Sequence, residues 1–141
     1  MTYSLKEETF KSLSFYWRQP DNPLNWDCFF VLPLWLKTWW NVFGNERSPF
    51  LQSYWSGKEL LGIAPLMLEG EKALFMGDPE VCDYQDFIIS PGRHEKFFSA
   101  FLDEIEKQKI KELDLGTVRP DSSTVLYLMR TAEDRARDEQ G

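Results

Sequence analysis

The sequence predicts a mixed α/β fold, in which a predominantly antiparallel, twisted sheet carries helices on both faces. The central segment, 50–90, contains four short apolar stretches separated by three breaks that each hold a glycine. Segments with apolar residues at helical spacing precede and follow it. Short strands joined by tight turns form an antiparallel meander, and a strand, a helix and a strand then form a crossover. We therefore expect the order helix, helix, four strands, helix, strand, helix.

The first helix is predicted to begin at Ser4. Ser4 and Glu7 have the spacing of a capping box, in which each side chain bonds the other residue's backbone N–H. Helical spacing then continues to the loop that starts at Pro20. The apolar stripe of this helix comprises Phe10, Leu13 and Trp17.

The second helix is predicted over 33–43. Pro33 suits its first position because the missing N–H costs nothing there, and Gly44 is expected to end it as a left-handed cap. The polar residues lie on one narrow face, so we expect burial on most sides and core packing of the tryptophans. Those polar residues are Lys37, Thr38 and Asn41.

The four central strands are expected at 50–56, 60–68, 73–76 and 84–90. The second is nearly all apolar, which predicts a strand buried on both faces. Within it, Gly62 permits close backbone approach. Pro65 lacks an N–H, so it is expected at a bulge or where strand pairing lapses.

The C-terminal part is predicted to form a helix, a short strand and a helix. Ser90 is expected as the N-cap and Pro91 as the first residue of a helix that ends near Gln108. A strand at 113–118 and a helix opening at 120–122 follow, with a frayed or exposed end at 133–141.

Composition limits the classes of partner. The 141 residues suit one domain, and the net charge of −7 with a sequence pI near 4.8 argues against binding nucleic acid. Cys28, Cys82 and the single histidine, His94, do not form a zinc-ligand pattern, so no metal is expected. We find no signal peptide and no membrane span, and we expect a cytoplasmic protein.

Three segments resemble one family in residue type and order. They are 35–44 (WLKTWWNVFG), 62–66 within LLGIAPLML, and 77–86 within LFMGDPEVCDYQDFIIS. Together they resemble the N-terminal part of the cellulose-biosynthesis-type acetyltransferase-like proteins of the GNAT (Gcn5-related N-acetyltransferase) superfamily. The resemblance covers roughly 26–128. It implies a single GNAT-like domain over 1–141, equivalent to one half of a tandem-GNAT protein.

The resemblance also implies acetyl-CoA or another acyl-CoA as co-substrate. The loop that binds it in GNAT proteins corresponds here to residues 90–93, which implies cofactor-binding roles for Ser90, Gly92 and Arg93. Glycines in such loops let backbone N–H groups and a helix N-terminus reach the pyrophosphate. This loop has only one glycine, and the chain has about half the length usual in the family.

Four residues are candidate catalytic groups. Asp83, Tyr84 and Asp86 place carboxylates near a phenol, which could act as a general base or orient an amine, or could cap a turn. The resemblance implies that Tyr127 is an acid for the leaving thiolate, whereas its apolar neighbours favour core packing. His94, in the first turn of a predicted helix, is expected to be a surface imidazole.

Two functions are expected. The resemblance implies that the chain is an acyl-CoA-dependent N-acyltransferase (acetyltransferase-like) acting on a small-molecule amine, or the substrate-side half of one. Alternatively it is a non-catalytic GNAT-like binding or assembly module. Because the family's sheet has further strands, a homodimer or a longer two-half protein is expected.

Overall fold

The computed structural model describes residues 3–26, 28, 31–44, 46–77, 84–116, 118 and 122–140. Within that part of the chain a mixed sheet of six strands is accompanied by four helices. In chain order the elements are β1 (Ser4–Glu7), α1 (Phe10–Arg18), α2 (Pro33–Phe43), β2 (Ser48–Ser56), β3 (Glu59–Glu69), β4 (Lys72–Phe75), β5 (Ile88–Ile89), α3 (His94–Lys107), β6 (Glu112–Asp114) and α4 (Ser123–Gln140).

The sheet is mostly antiparallel, as predicted. Its strand order is β1-β2-β3-β4-β6, and β5 pairs with β3. Only the β4–β6 pair is parallel among the described strand pairs. The predicted mixed α/β class is therefore confirmed, and the connection from β5 through α3 to β6 is the expected crossover.

The fourth central strand does not continue the meander. Its strand conformation is limited to Ile88–Ile89, and it pairs with Gly62 and Ile63 of β3 rather than with β4. β4 pairs with the other end of β3, so β4 and β5 lie in line along one edge of that strand. Pro65 falls in the gap between them, where strand pairing lapses as predicted, and its carbonyl accepts a hydrogen bond from Met76 at 3.0 Å.

Each face of the sheet carries a buried core. Alternate residues of β2 point to opposite faces, because side chains in a strand have a period of two. Tyr54 faces α3, where its ring meets Phe97 edge-on at 5.4 Å, and Leu51 belongs to the core that contains Leu13 of α1 and Leu36 of α2. Helices therefore cover both faces, as the sequence predicts.

The predicted start of the first helix is wrong. Ser4–Glu7 forms β1, which pairs with β2, and the helix begins at Phe10. Its capping box consists of Thr9 and Ser12, whose side chains each bond the other's backbone N–H, at 2.8 and 3.0 Å. At Ser4, pairing with the distant strand β2 is therefore favoured over a local helix cap.

The second helix has the predicted bounds, Pro33–Phe43. Gly44 is not left-handed, since its φ is −80°. It is instead required by space, because a Cβ there would lie 2.5 Å from Cδ2 of Trp40. The predicted burial on most sides is also wrong, since Leu34 and Val42 are exposed together with the polar residues.

The C-terminal elements follow the predicted order with shifted ends. Ser90 is not the N-cap, because residues 90–93 form a turn before α3 starts at His94, and Arg93 N–H donates to the Ser90 carbonyl at 3.1 Å. The last helix continues to Gln140, and Glu133 and Arg137 within it are exposed. No helix in the described ranges has both the length and the apolar character needed to cross a bilayer.

Candidate active site around the loop before helix α3

The loop 90–93 is fixed by the edge of β3. Ser90 N–H donates to the Leu61 carbonyl at 2.9 Å, and its buried hydroxyl donates to the Leu60 carbonyl at 2.8 Å. Gly92 has a φ of +78°, which glycine adopts without strain. These contacts hold the loop at the point where β5 leads into α3.

The predicted cofactor-binding residues have different surroundings. The Ser90 hydroxyl is already engaged by backbone, whereas Gly92 is exposed. Arg93 pairs with Glu59 at 2.9 Å, and its hydrogen bond to that carboxylate lowers the pKa of Glu59. Binding of an anion by Arg93 therefore competes with Glu59.

A groove of about 450 Å³ runs beside this loop. This volume lies within the range common for small-molecule sites. The groove lies between the α1–α2 connection, the β2–β3 hairpin and the loop 90–93. Its lining includes Tyr16, Asp21, Trp55, Lys58, Pro91 and Arg93.

The aromatic wall of the groove is held by a carboxylate. Glu8 accepts hydrogen bonds from Tyr16 at 3.2 Å and from Ser53, and Ser53 Oγ in turn accepts from Trp55 Nε1 at 2.8 Å. Burial, followed by the negative charge of Glu8, raises the pKa of Tyr16 to about 12. The Tyr16 phenol therefore remains protonated at neutral pH and donates to Glu8.

A second group of functional side chains gathers on the other side of the same loop. The His94 ring stacks on the Tyr127 ring with centroids 4.9 Å apart and planes at 24°. Burial lowers the pKa of His94, and the nearby Asp86 carboxylate opposes that effect. Arg130 of α4 lies 5.8 Å from the Tyr127 centroid. The lowered pKa of His94 favours the neutral imidazole, which is the form that can accept a proton.

Asp86 also joins two parts of the chain. One of its carboxylate oxygens accepts from Ser122 Oγ at 2.8 Å and the other from Phe87 N–H at 2.8 Å. Ser122 Oγ accepts from Thr124 N–H at 3.1 Å at the start of α4. Asp86 therefore links the segment before β5 to the start of α4, and it also acts electrostatically on His94.

Of the predicted catalytic residues, the structure brings Asp86 and Tyr127 to one place. Tyr84 lies outside a strand, and its carbonyl is 3.6 Å from Cys28 Sγ. Asp83 falls outside the described residues. Sequence reasoning missed His94, which is half-buried rather than a surface imidazole. The sequence feature that could have identified His94 is its position in the first turn of the helix that follows the loop 90–93.

Among the described residues, no group of three potential metal-ligating side chains comes together. Comparisons of the chain with protein-family models, with curated proteins and with solved structures found no match.

Proposed function

We propose that the chain is an acyl-CoA-dependent N-acyltransferase with a GNAT-like fold, or the substrate-side half of such an enzyme. The observation that carries this proposal is the stacked His94–Tyr127 pair directly after the loop 90–93. An imidazole and a phenol can serve as a base and an acid, the two groups that acyl transfer to an amine uses.

The proposed reaction needs one proton acceptor and one proton donor. The amine nitrogen attacks the thioester carbonyl carbon, and His94 takes the proton that the nitrogen loses. The carbon–sulfur bond then breaks, and Tyr127 gives its hydroxyl proton to the thiolate sulfur. Return of the proton from His94 to Tyr127 restores both residues. Asp86 stabilises the imidazolium that forms in the first step.

The loop that follows β5 supports this proposal, whereas the outer edge of β5 is already occupied. The Ile89 carbonyl accepts a hydrogen bond from Asn25 N–H at 3.1 Å, so pantetheine would contact the loop 90–93 rather than that strand edge. At the end of β5, Gly92 and the N-terminus of α3 would meet the pyrophosphate, with Lys58 at the groove as a nearby positive charge.

The second candidate function is a non-catalytic GNAT-like binding or assembly module. The pairing of Arg93 with Glu59 favours it, because this ion pair occupies the one arginine of the loop 90–93. The internal hydrogen bond of the Ser90 hydroxyl favours it as well.

Titration calorimetry with CoA and acetyl-CoA tests the binding part of the proposal. Arg93→Gln should weaken binding, and Glu59→Gln should strengthen it because Arg93 is released. Arg47→Gln and Glu69→Gln are matched controls, since these residues form an exposed ion pair at 3.3 Å elsewhere and should leave binding unchanged. Absence of heat and of any thermal shift at millimolar ligand would contradict the proposal.

Measuring the free thiol released from acetyl-CoA in the presence of a panel of primary amines distinguishes an enzyme from a non-catalytic module. Tyr127→Phe and His94→Gln should each reduce turnover while CoA affinity stays at the wild-type value. CoA binding without turnover for any amine would favour the module.

A further inference from the structure

The outward sides of α1 and α2 form an unusual surface. The two helices pack against each other, and their inner sides bury Leu13 and Leu36 in a common core. On the outer sides, Phe15 is 62% exposed, Leu34 74% and Val42 58%. Large apolar side chains exposed together on neighbouring helices mark a surface that contacts something apolar. We call this surface the α1/α2 outer surface.

The charges on the same two helices all have one sign. Lys11 and Arg18 of α1 and Lys37 of α2 are exposed, and neither helix contains an acidic residue, although the net charge of the chain is −7. At 100° per residue, Lys11, Phe15 and Arg18 lie on the side of α1 opposite Leu13. Apolar and basic side chains therefore share the α1/α2 outer surface.

The described acidic residues that flank these helices in sequence are Glu7 and Glu8 before α1, Asp21 after α1 and Glu46 after α2. Glu8 accepts hydrogen bonds from Ser12 and Tyr16, so its carboxylate is already engaged. Asp21 lines the groove, and Glu46 follows α2 in the loop before β2. None of the ion pairs among the described residues includes Lys11, Arg18 or Lys37, so these basic side chains are available to an external anion.

We propose that the α1/α2 outer surface binds peripherally to a bilayer that contains anionic lipids. Helices of 9 and 11 residues are roughly 13 and 16 Å long and can lie flat in the headgroup region. Phe15, Leu34 and Val42 would enter the apolar boundary, while the long stems of Lys11 and Lys37 let their ammonium groups reach lipid phosphates. This binding is independent of the proposed acyl transfer.

Co-sedimentation of the full chain with vesicles tests the inference. Vesicles of phosphatidylcholine and phosphatidylglycerol in equal amounts should bind the protein, and vesicles of phosphatidylcholine alone should not. Lys11→Glu/Lys37→Glu should reduce binding by about 25-fold or more, because each basic residue at an anionic surface contributes about fivefold. Leu34→Ser should also weaken binding while the thermal midpoint stays near the wild-type value.

The control variant is Lys107→Glu/Arg137→Glu, which changes the net charge equally at exposed positions on α3 and α4. It should bind vesicles like the wild type. Equal loss in both double variants would overturn the proposal, because net charge alone would then explain binding. Equal binding to both kinds of vesicle would overturn it as well. So would absence of vesicle binding, including the case in which the protein instead self-associates through the α1/α2 outer surface.

Discussion

Substitution of Gly62 by alanine should destabilise the junction that positions the candidate site. Gly62 lies in β3 between Tyr54 of β2 and Ile89 of β5. A Cβ there would be 2.8 Å from the Ile88 carbonyl oxygen and 2.8 Å from Cδ2 of Phe97. Non-bonded carbon atoms normally stay about 3.5 Å or more apart, so at least one neighbour must move.

The expected cost is about 1–2 kcal/mol. Overpacking in a filled core costs roughly 1–3 kcal/mol, and Phe97 is fully buried, so its ring has little room to move. The Ile88 oxygen is backbone and can shift only with β5. The smaller conformational entropy of alanine in the unfolded chain offsets about 0.5–1 kcal/mol of this cost.

Urea unfolding followed by circular dichroism measures the effect. The midpoint should fall by about 1 M with an unchanged slope, given slopes of about 1–3 kcal/mol per M for small proteins. The control is Gly116→Ala, where the nearest atom is Oδ1 of the exposed Asp114 at 3.2 Å, and where we expect a change within about 0.5 kcal/mol. If Gly62→Ala unfolds at the wild-type urea concentration, β5 and α3 do not pack closely on Gly62.

Three further predictions concern single side chains. Burial lowers the pKa of His94 in the folded chain, so the unfolded chain binds this proton at higher pH and stability falls as the pH drops below about 6.5. The urea midpoints measured at pH 7.5 and at pH 5 should therefore differ less for His94→Gln than for the wild type. An equal difference in the two proteins would contradict the burial of the imidazole. The pKa of Tyr16 is raised to about 12, so stability is lost as the pH rises from about 10 to 12, and Tyr16→Phe should lose less in alkaline unfolding experiments. Ser90→Ala leaves the Leu60 carbonyl without its buried donor and should cost about 1–2 kcal/mol by urea unfolding, whereas the exposed Ser48→Ala should cost little; equal costs would contradict a structural role for the Ser90 hydroxyl.

Local patterns were sufficient for the elements whose residues interact mainly with their neighbours in sequence. The bounds of α2 follow from Pro33 and the helical spacing, and β2 and β3 match the predicted strands to within two residues at each end. The hairpin between them also follows from sequence, since Gly57 has a φ of +60° at the predicted reversal. Each of these features depends on backbone preferences within a few residues.

The candidate site could be predicted only in part. The sequence predicted Asp83, Tyr84 and Asp86 as one group and Tyr127 separately. It left His94 as a surface residue, because no local pattern tells which side chains of α3 and α4 meet. The stacking of His94 on Tyr127 and the hydrogen bond from Ser122 to Asp86 are contacts between distant segments. They depend on how α4 docks against α3.

The sequence by itself determined the class of the fold, the order of most elements and the two-sided burial of β3. Only the tertiary structure decided that Ser4–Glu7 is a strand, that Ile88–Ile89 returns to the edge of β3, and that His94 stacks on Tyr127. The physical reason is the range of the interactions. Caps and turns are fixed by adjacent residues, whereas strand pairing and ring stacking contribute comparable free energy through partners that the chain brings together only on folding.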